Sequence, residues 1–309
     1  MDTLKGVESF VKAVDEGSIA AGARRMGISA AAASQNIARL EQNLGTRLLA
    51  RTTRSIALTE SGQIYYQRVK QVVNDLEEAQ AAVGELHGQP QGKLRIASSG
   101  AFGRHVLSPL IPVFAQRYPR VSIELILTDH NVDHVREEVD ISIRFPQQLE
   151  PGLVARKIAQ VPLRFCASPA YLDQYGVPHD PAQLREHQCL VFRLPYDGRL
   201  LGWVFVREGV RFEAELNPVI ISNDIDSLAK LAVEGAGIAR IGAFLADALI
   251  EQGKLLPLFL SNPDAEHSAS ADIEPLDFYA CYRDRPSAGG KVRLFLDYLM
   301  ENVPAAWRT

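Results

Sequence analysis

The stretch from Ser18 to Gly45 constrains the fold of this 309-residue chain more than any other, because it predicts two short helices joined by a tight turn. Ser18 can cap the first helix, and Gly27 can end it, since glycine tolerates the left-handed conformation that follows a last helical turn. Ser29 can then cap the second helix. Apolar residues of that second helix recur at spacings of four, three and four and predict one buried stripe: Ala33, Ile37, Leu40 and Leu44.

The polar residues of the second helix predict a contact with nucleic acid. In a helix-turn-helix the first helix supports the second, which enters a major groove with its N-terminal residues on base edges. Gln35 and Asn36 carry amides that can pair with adenine, and Arg39 can reach a phosphate. The alternative is a pair of alanine-rich helices in an ordinary helical domain, with these polar groups facing water. The candidate contacts are Ser29, Ala30, Ala31, Ser34, Gln35, Asn36 and Arg39.

The segments on either side of the helix-turn-helix extend it into a larger N-terminal unit, the head. Residues 3–15 place apolar side chains at helical spacing, which predicts a helix that the motif covers. Residues 46–62 surround an Arg-Thr-Thr-Arg sequence with short apolar runs, which predicts a wing. Two guanidiniums and two hydroxyls suit phosphates and the narrow minor groove, although a solvated cationic turn would give the same pattern. The candidate contacts of the wing are Arg51, Thr52, Thr53 and Arg54.

Charge is divided unevenly along the chain. The net charge is −4 overall, yet residues 1–70 hold ten Lys and Arg against six Asp and Glu, a balance of +4 that leaves −8 for the remainder. A basic pole on an acidic body is the distribution expected of a DNA-binding head joined to a sensing or oligomerising body.

A long helix is predicted to follow the wing, beginning at Thr59 or Ser61. Its apolar positions repeat at spacings of four and three over three heptads, and a seam of this length needs a partner. A second copy of the chain would present two heads to a palindromic site, while packing on its own body is the alternative. The polar run that follows predicts a hinge at 88–93. The seam consists of Tyr65, Val69, Val72, Leu76, Ala79, Val83 and Leu86.

From Leu94 onward strands and helices alternate. The pattern predicts a βαβαβ unit with a parallel sheet, followed from Leu163 by a second α/β lobe and by a closing strand at 278–282. Two lobes with two crossings between them predict a cleft, where small ligands bind. The first unit comprises a strand at 94–98, a helix from near Pro109, a strand at 121–127, a helix at 131–138 and a strand at 140–145.

Several classes of protein find no support in the sequence. It has no run of eighteen apolar residues and no apolar core of a signal peptide, so we expect no membrane span and a location in the cytoplasm. GxSxG, Walker and HExxH motifs are absent, and we expect no catalytic residues and no cofactor. His130 and His134 share i, i+4 spacing without a further ligand, so no metal site is expected. The cysteines predict reduced buried thiols, with a redox-sensing pair as the alternative: Cys166, Cys189 and Cys281.

Taken in this order, the motifs resemble those of the LysR-type transcriptional regulators of bacteria. The resemblance runs end to end and is carried by GSIAAGARRMGIS, SAAAASQNIARLEQNLG, LLARTTRSIALTESG, LRIASSGAFGRHVLSPLIPVFAQRYPRVSIEL, ASPAYLDQYGVP and VEGAGIARI. It implies an α+β multidomain protein: a mostly α winged helix-turn-helix, a long linker helix for dimerisation, and a two-lobed α/β effector domain like the periplasmic binding proteins. It further implies a homotetramer on double-stranded promoter DNA, with RNA polymerase as a candidate partner.

The resemblance suggests domain limits and also shows departures from the family pattern. Ala30 and Ala31 stand where the family often carries Gln, Pro or Ser, Gln35 where it often has Arg or Lys, and Gly242 where many relatives have Pro. Because fewer side chains can reach the bases, we expect the specificity of DNA binding to depend more on the wing and on DNA shape. The limits are 1–59 for the head, 60–87 for the linker helix, 88–93 for the hinge and 94–305 for the effector domain, with lobe I at 94–162 and 268–305 and lobe II at 163–267.

The cleft is predicted to take an anionic or polar organic effector. Backbone N–H groups at a helix start and a guanidinium favour a carboxylate, and aromatic walls favour an aromatic carboxylate or a phenol. Each of these side chains has a structural alternative, such as an internal ion pair of Arg144. An enzyme and a solute-binding protein for transport are the rival classes, and the sequence leaves open the effector, the operator and the sign of regulation. The candidate contacts are Ser99, Gly100, Phe102, Thr128, Arg144, Phe145, Asn223, Ile241 and Gly242.

Overall fold

The computed structural model of the protein describes residues 2–50, 56–85, 90–207, 210–259, 270–271, 275–284 and 289–308. The chain divides into two compact units, Met1–Gly88 and Gln89–Thr309. In the described ranges, no helix combines the length and the apolarity that a membrane crossing needs.

The first unit is a head of three helices and a small antiparallel hairpin, followed by a long helix. The predicted caps are confirmed, because the hydroxyls of Ser18 and Ser29 accept the backbone N–H groups of Ala21 and Ala32 at 3.1 Å. Gly45 ends the third helix with a φ of 66°. The elements are α1 (Asp2–Asp15), α2 (Ile19–Arg25), α3 (Ala30–Leu44), β1 (Leu49–Ala50), β2 (Ala57–Leu58) and α4 (Glu60–Glu85).

The core of the head forms between α1, α3, the hairpin and α4. The predicted stripe on α3 is confirmed for Ala33, Ile37 and Leu40, which are at most 3% exposed. It is wrong for Leu44, which is 41% exposed because it lies in the last turn of α3, where contacts with the core have ended. Residues from the other elements complete this core: Val7, Phe10, Val11, Ala13, Leu48 and Val73.

Part of the predicted apolar seam of α4 packs against the core of its own head. Tyr65 and Val69 pack on the head core, and Val73, which the heptad pattern did not include, is fully buried there. These three residues recur at i, i+4 and i+8 and therefore form one stripe toward the head. The alternative that part of the seam packs on its own body therefore holds for Tyr65 and Val69, and their contact with a second copy stays a prediction.

The remaining seam residues have other environments. Val72 is 56% exposed, and Ile64 on the same helix is 60% exposed. Leu76 is half-buried and Ala79 is exposed. An apolar strip of α4 thus faces away from the head core. The last two seam residues lie outside the described side chains: Val83 and Leu86.

Lobe I of the second unit is built on a five-stranded mixed sheet. In spatial order its strands are β4 (Val121–Leu127), β3 (Gly92–Ser98), β5 (Ile141–Arg144), β15 (Leu276–Tyr282) and β6 (Val154–Val161). Strand β3 runs parallel to β4 and β5, whereas β15 runs antiparallel to β5 and β6. Because β3 begins at Gly92, the predicted hinge at 88–93 is too long at its C-terminal end.

The first helix of lobe I begins earlier than predicted. Helical conformation starts at Gly100 rather than near Pro109 and passes from α5 (Gly100–Phe102) through a π-helical turn (Gly103–Leu107) into α6 (Ser108–Arg117). Gly103 allows the π-helical turn to pack closely against Leu127 of β4, because a Cβ at residue 103 would lie 2.2 Å from Leu127 Cδ2. Residues 100–107, which lie between the predicted strand and the predicted helix start, are helical.

The helix predicted at 131–138 is absent from the structure. This segment forms turns and bends instead. The Asp133 carboxylate accepts the backbone N–H groups of Val135 at 2.8 Å and Arg136 at 3.0 Å, and this local turn competes with helix formation.

Lobe II carries a second five-stranded sheet and a small antiparallel sheet. The strands of the large sheet are, in order, β11 (Pro218–Ser222), β8 (Cys189–Phe192), β12 (Ile238–Gly242), β7 (Leu163–Ala167) and β13 (Leu256–Leu258). The small sheet consists of β10 (Val210–Glu213), β9 (Val204–Arg207) and β14 (Ser270–Ala271). Because β14 pairs with β9, residues 270–271 belong to lobe II, not to lobe I as predicted. The remaining helices are α7 (Pro169–Tyr175), α8 (Ile225–Val233), α9 (Ala243–Glu251) and, in lobe I, α10 (Gly289–Asn302).

Candidate nucleic-acid interface and ligand cavity

The first turns of α3 present small, uncharged side chains to solvent. Ala30, Ala31, Ser34 and Gln35 are exposed, and Arg39 is exposed one turn further on. The Ser29 hydroxyl is occupied as the cap of α3. This surface has the composition expected of a helix that lies against base edges.

Asn36 does not share that surface. Its Nδ2 donates a hydrogen bond of 3.1 Å to Ser9 Oγ on α1, and Ser9 is 1% exposed. Asn36 stands beside the buried stripe and therefore faces α1, which corrects its prediction as a base contact. Gln35 is the amide of this pair that remains on the outer surface.

The hairpin is fixed to α3 by a side chain that the sequence analysis did not select. Glu41 Oε1 accepts the backbone N–H groups of Leu48 at 2.7 Å and Leu49 at 3.0 Å. This contact sets the position of the wing beside the second helix of the motif. The predicted wing contacts lie outside the described residues: Arg51, Thr52, Thr53 and Arg54.

A cavity of about 140 Å³ lies between the two lobes. Four of the nine predicted effector contacts line it: Ser99, Phe145, Asn223 and Gly242. Aromatic side chains form much of its wall, namely Phe192, Tyr196, Phe244 and Phe278 in addition to Phe145. Apolar walls with a few polar groups are typical of sites for small organic molecules.

Three predicted contacts lie in the core or in loop structure instead. Phe102 is 0% exposed and stacks on Phe278 with ring centroids 4.2 Å apart. Ile241 is 0% exposed in the core of lobe II, because alternate residues of β12 face opposite sides of the sheet. Thr128 Oγ1 accepts the backbone N–H of His130, and its side chain does not line the cavity.

The predicted anion contacts are also placed differently. The Gly100 N–H donates to Asp129 Oδ1 at 3.1 Å, so an internal carboxylate already occupies this helix start. Arg144 is 3% exposed and donates from Nη1 to the Thr128 carbonyl oxygen at 3.2 Å, within lobe I and away from the inter-lobe cavity. Neither group is available to a ligand between the lobes in this structure.

Two other arginines line the cavity, one from each lobe. Arg104, on the π-helical turn of lobe I, donates from Nε to Asp226 Oδ2 of lobe II at 3.1 Å and lies 3.7 Å from Asp224 Oδ2. Arg240, on β12, donates to the Gly202 carbonyl oxygen at 2.9 Å. Sequence reasoning missed Arg104 because it placed this segment before the helix. A helix starting at Gly100 would have put residue 104 one turn after it.

Asp226 joins the lobes through two partners. Its carboxylate accepts hydrogen bonds from Arg104 and is bonded to His105 Nε2, both in lobe I. Burial alone would raise the pKa of Asp226, but these hydrogen bonds hold it below its usual value of 3.8. The hydrogen bond to Asp226 raises the pKa of Arg104. The contacts of Asp226 with Arg104 and His105 therefore join the two lobes beside the cavity.

The thiols and the histidines form no metal site in the described part of the chain. All three cysteines are free and buried. Burial raises the pKa of Cys166 to about 12 and those of Cys189 and Cys281 to about 11, so the thiols stay protonated and poorly nucleophilic. This agrees with the prediction of reduced buried thiols.

A helix-turn-helix head with a wing hairpin, joined to two α/β lobes that enclose a cavity, defines the class of ligand-responsive DNA-binding proteins. The model of the "Bacterial regulatory helix-turn-helix protein, lysR family" matches residues 4–63, and that of the "LysR substrate binding domain" matches residues 87–304. The chain therefore belongs to the LysR family of transcriptional regulators.

Individual relatives support this membership over nearly the whole chain. The chain is 33% identical over 294 residues to the HTH-type transcriptional regulator CrgA of Neisseria meningitidis, covering 95% of both chains. It is 30% identical to the HTH-type transcriptional activator AaeR of Escherichia coli K12, covering 97% of this chain and 94% of that one. The solved structure of CrgA superposes with a TM-score of 0.60 at 31% identity over 96% and 97% of the two chains.

Family membership settles the class of activity. The protein is a sequence-specific DNA-binding transcriptional regulator whose output responds to a small organic effector, and it is not an enzyme. Its fold is the predicted one, a winged helix-turn-helix followed by a two-lobed α/β domain.

Proposed function

We propose that the N-terminal end of α3 recognises an A·T-rich operator. Docking of a helix-turn-helix places this end on base edges, where alanine methyl groups contact thymine methyls and a glutamine amide pairs with adenine. The exposure of Ala30, Ala31 and Gln35, with Asn36 turned inward, is the observation that supports this specificity. Ser34 and Arg39 complete the helix surface. The wing residues Arg51, Thr52, Thr53 and Arg54 are assigned to phosphates on their sequence alone.

The Gln35→Ala variant tests this assignment. We expect it to cost about 1–3 kcal/mol of binding free energy on the natural operator, concentrated at one A·T pair, because one bidentate amide contact is lost. Gel shifts on operators with single base-pair changes, at several salt concentrations, measure this. Gln42→Ala is the matched control, an exposed glutamine two turns further along the same helix. Equal losses on all operators, or a loss with Gln42→Ala, would contradict the proposal.

The cavity is proposed to bind a small aromatic carboxylate. Its aromatic wall suits a ring, and Arg104 and Arg240 bring a guanidinium from each lobe. Asp129 and Asp224 also line the cavity, and their carboxylates can accept a hydrogen bond from a hydroxyl group on the ring. The predicted contacts that remain are Ser99, Phe145, Asn223 and Gly242.

Replacement of Arg240 tests the charge of the effector. We expect Arg240→Met to weaken binding of aromatic carboxylates by about tenfold or more and to leave the corresponding neutral amides nearly unaffected, because only the carboxylates use the guanidinium charge. Isothermal titration of both compound sets measures the difference. Arg156→Met is the control, since Arg156 lies on strand β6 and its side chain is 43% exposed and paired with Asp297. An equal loss for acids and amides would assign Arg240 a purely structural role.

The assembly is proposed to be a homotetramer built from dimers through α4. The exposed apolar strip that contains Ile64 and Val72 supports a partner helix, and Val83 and Leu86 would extend it on the sequence pattern. Edge strand β11 exposes Val219 and Ile221 by 45% and 41%, which supports a second self-contact between effector domains. We infer action on promoter DNA in the cytoplasm, at the nucleoid, with RNA polymerase as a further partner.

A further inference from the structure

Gly242, at the end of β12, lacks a side chain for reasons of space and not of backbone conformation. Its φ of −67° and ψ of 145° are accessible to any residue. A Cβ at this position would lie 2.7 Å from Cε1 and 2.9 Å from Cζ of Phe244, and real Cβ atoms essentially never approach other atoms closer than 3.0 Å. A side chain at residue 242 would therefore displace the Phe244 ring.

The Phe244 ring begins helix α9 of lobe II but packs against lobe I. It stacks on His105 with ring centroids 6.1 Å apart, and it meets Phe102 and Phe278 edge-on at 6.3 and 6.4 Å. Phe102 and Phe278 are at most 1% exposed, and His105 is bonded to Asp226. These neighbours cannot move without disturbing the core of lobe I or the contact between the lobes. A displaced ring therefore moves toward the inter-lobe cavity, which it lines.

The volume of the inter-lobe cavity sets a limit on the ligand. It is about 140 Å³. An apolar cavity of about 150 Å³ in another protein takes up one benzene molecule, so the space here corresponds to one six-membered ring. Phe244 and Phe278 form part of the wall around this space. A second, fused ring would have to displace one of them.

We propose that Gly242 and Phe244 together determine the size of the effector, so that the site admits carboxylates with one six-membered ring and rejects fused two-ring acids. This inference rests on the proposed binding of an aromatic carboxylate in the cavity and adds a size limit to it. Gly242 leaves Phe244 in place against lobe I, and the position of that ring fixes the width of the cavity. Neither residue carries a charge, so the pair selects by shape, whereas Arg104 and Arg240 recognise the carboxylate.

Gly242→Ala narrows the cavity and provides the first test. We expect the wild type to bind benzoate or hydroxybenzoates, and Gly242→Ala to bind the same compounds at least about tenfold more weakly, because the Phe244 ring moves into their space. Isothermal titration of the full-length protein measures this. Ala248→Ser is the matched control, because it adds one heavy atom at an exposed position of α9 that does not line the cavity. Benzoate affinities of Gly242→Ala equal to those of the wild type would overturn the proposal.

Phe244→Leu widens the cavity and provides the opposite test. We expect this variant to bind naphthoates at least about tenfold more tightly than the wild type does. The double variant Gly242→Ala/Phe244→Leu should recover the benzoate binding that Gly242→Ala loses, because leucine leaves room for the new Cβ. Damage to the fold by Gly242→Ala would not be repaired in this way. No gain of naphthoate binding, or no recovery in the double variant, would contradict the size rule.

Two further measurements separate the size rule from misfolding and from the proposed function. The fluorescence of Trp203 and Trp307 follows the effector unit alone, since both belong to it, and shows whether each variant is folded. If Gly242→Ala does not fold, Phe244→Leu carries the test. A wild type that binds none of these acids would overturn the proposed function and the size rule with it. A wild type that binds benzoates and naphthoates equally would overturn the size rule alone.

Discussion

Replacing Gly62 by alanine is expected to cost the head about 1–3 kcal/mol of unfolding free energy, or somewhat more, and at least about a tenfold loss of operator affinity. A Cβ at this position would lie 2.0 Å from the carbonyl oxygen of Leu48 and 2.8 Å from its carbonyl carbon. Both are backbone atoms, so α4 or the hairpin must move. The same backbone segment is bound by Glu41, and the displacement would therefore reach α3 and the wing together.

Two measurements localise this effect. Titration of Gly62→Ala with operator DNA gives the affinity, and circular dichroism gives the unfolding of the whole chain. The tryptophan-monitored transition should stay unchanged, because both tryptophans lie in the other unit. Ser61→Ala is the matched control, an exposed neighbour in the same turn of α4. Wild-type operator affinity of Gly62→Ala would contradict the packing described for this junction.

The Phe102→Ala variant is expected to lose about 3–5 kcal/mol of unfolding free energy in the effector unit. Phe102 is 0% exposed, stacks on Phe278, and meets Phe244 edge-on at a centroid distance of 6.3 Å. Truncation leaves a cavity in the core of lobe I that its neighbours cannot fill without moving. Urea unfolding followed by tryptophan fluorescence measures the loss.

Phe145→Ala is the matched control for Phe102→Ala. Phe145 contacts the same Phe278, with ring centroids 5.0 Å apart, but it is only half-buried and lines the inter-lobe cavity. We expect a smaller loss of stability from Phe145→Ala and a larger effect on effector binding. If Phe102→Ala instead left stability nearly intact and abolished effector binding, the original assignment of Phe102 as an effector contact would be restored.

The head was predictable from the sequence because its signals are local. Ser18, Gly27 and Ser29 each act on the nearest helix end, and the structure shows them doing so. The stripe on α3 follows from helical periodicity over a single element. Asn36 was misplaced because its partner, Ser9, comes from another helix, and no pattern within α3 identifies it.

The position of the ligand cavity could be predicted from the sequence, but only some of its lining residues could. The ends of parallel strands indicate which backbone segments border the cleft, and Ser99, Phe145 and Asn223 follow from that rule. The rule does not say which way a side chain turns, and Arg144 turned into lobe I. Arg104 depends on where the helix begins, and Ser99 before it makes no side-chain cap hydrogen bond; the carboxylate at this helix start comes from Asp129, which is distant in sequence.

Strand β6 was missed for a related reason. Val154–Val161 alternates too weakly between polar and apolar residues to be recognised alone, with exposed and buried positions gathered at opposite ends. It forms a strand because β15, which arrives more than a hundred residues later, pairs with it over its whole length. The sequence of β6 alone therefore does not reveal a partner at this separation, although the pattern of β15 itself predicts a strand.

The contact of Asp226 with Arg104 and His105 gives the regulator a built-in reference state. Because Asp226 of lobe II is bonded to Arg104 and His105 of lobe I, we expect an effector to act through what it does to this contact as well as by filling the cavity. A carboxylate that draws Arg104 away from Asp226 would weaken this contact, whereas a neutral ring of the same shape would leave it intact. We therefore expect an aromatic carboxylate and its neutral amide to differ in their effect on the contact between the lobes.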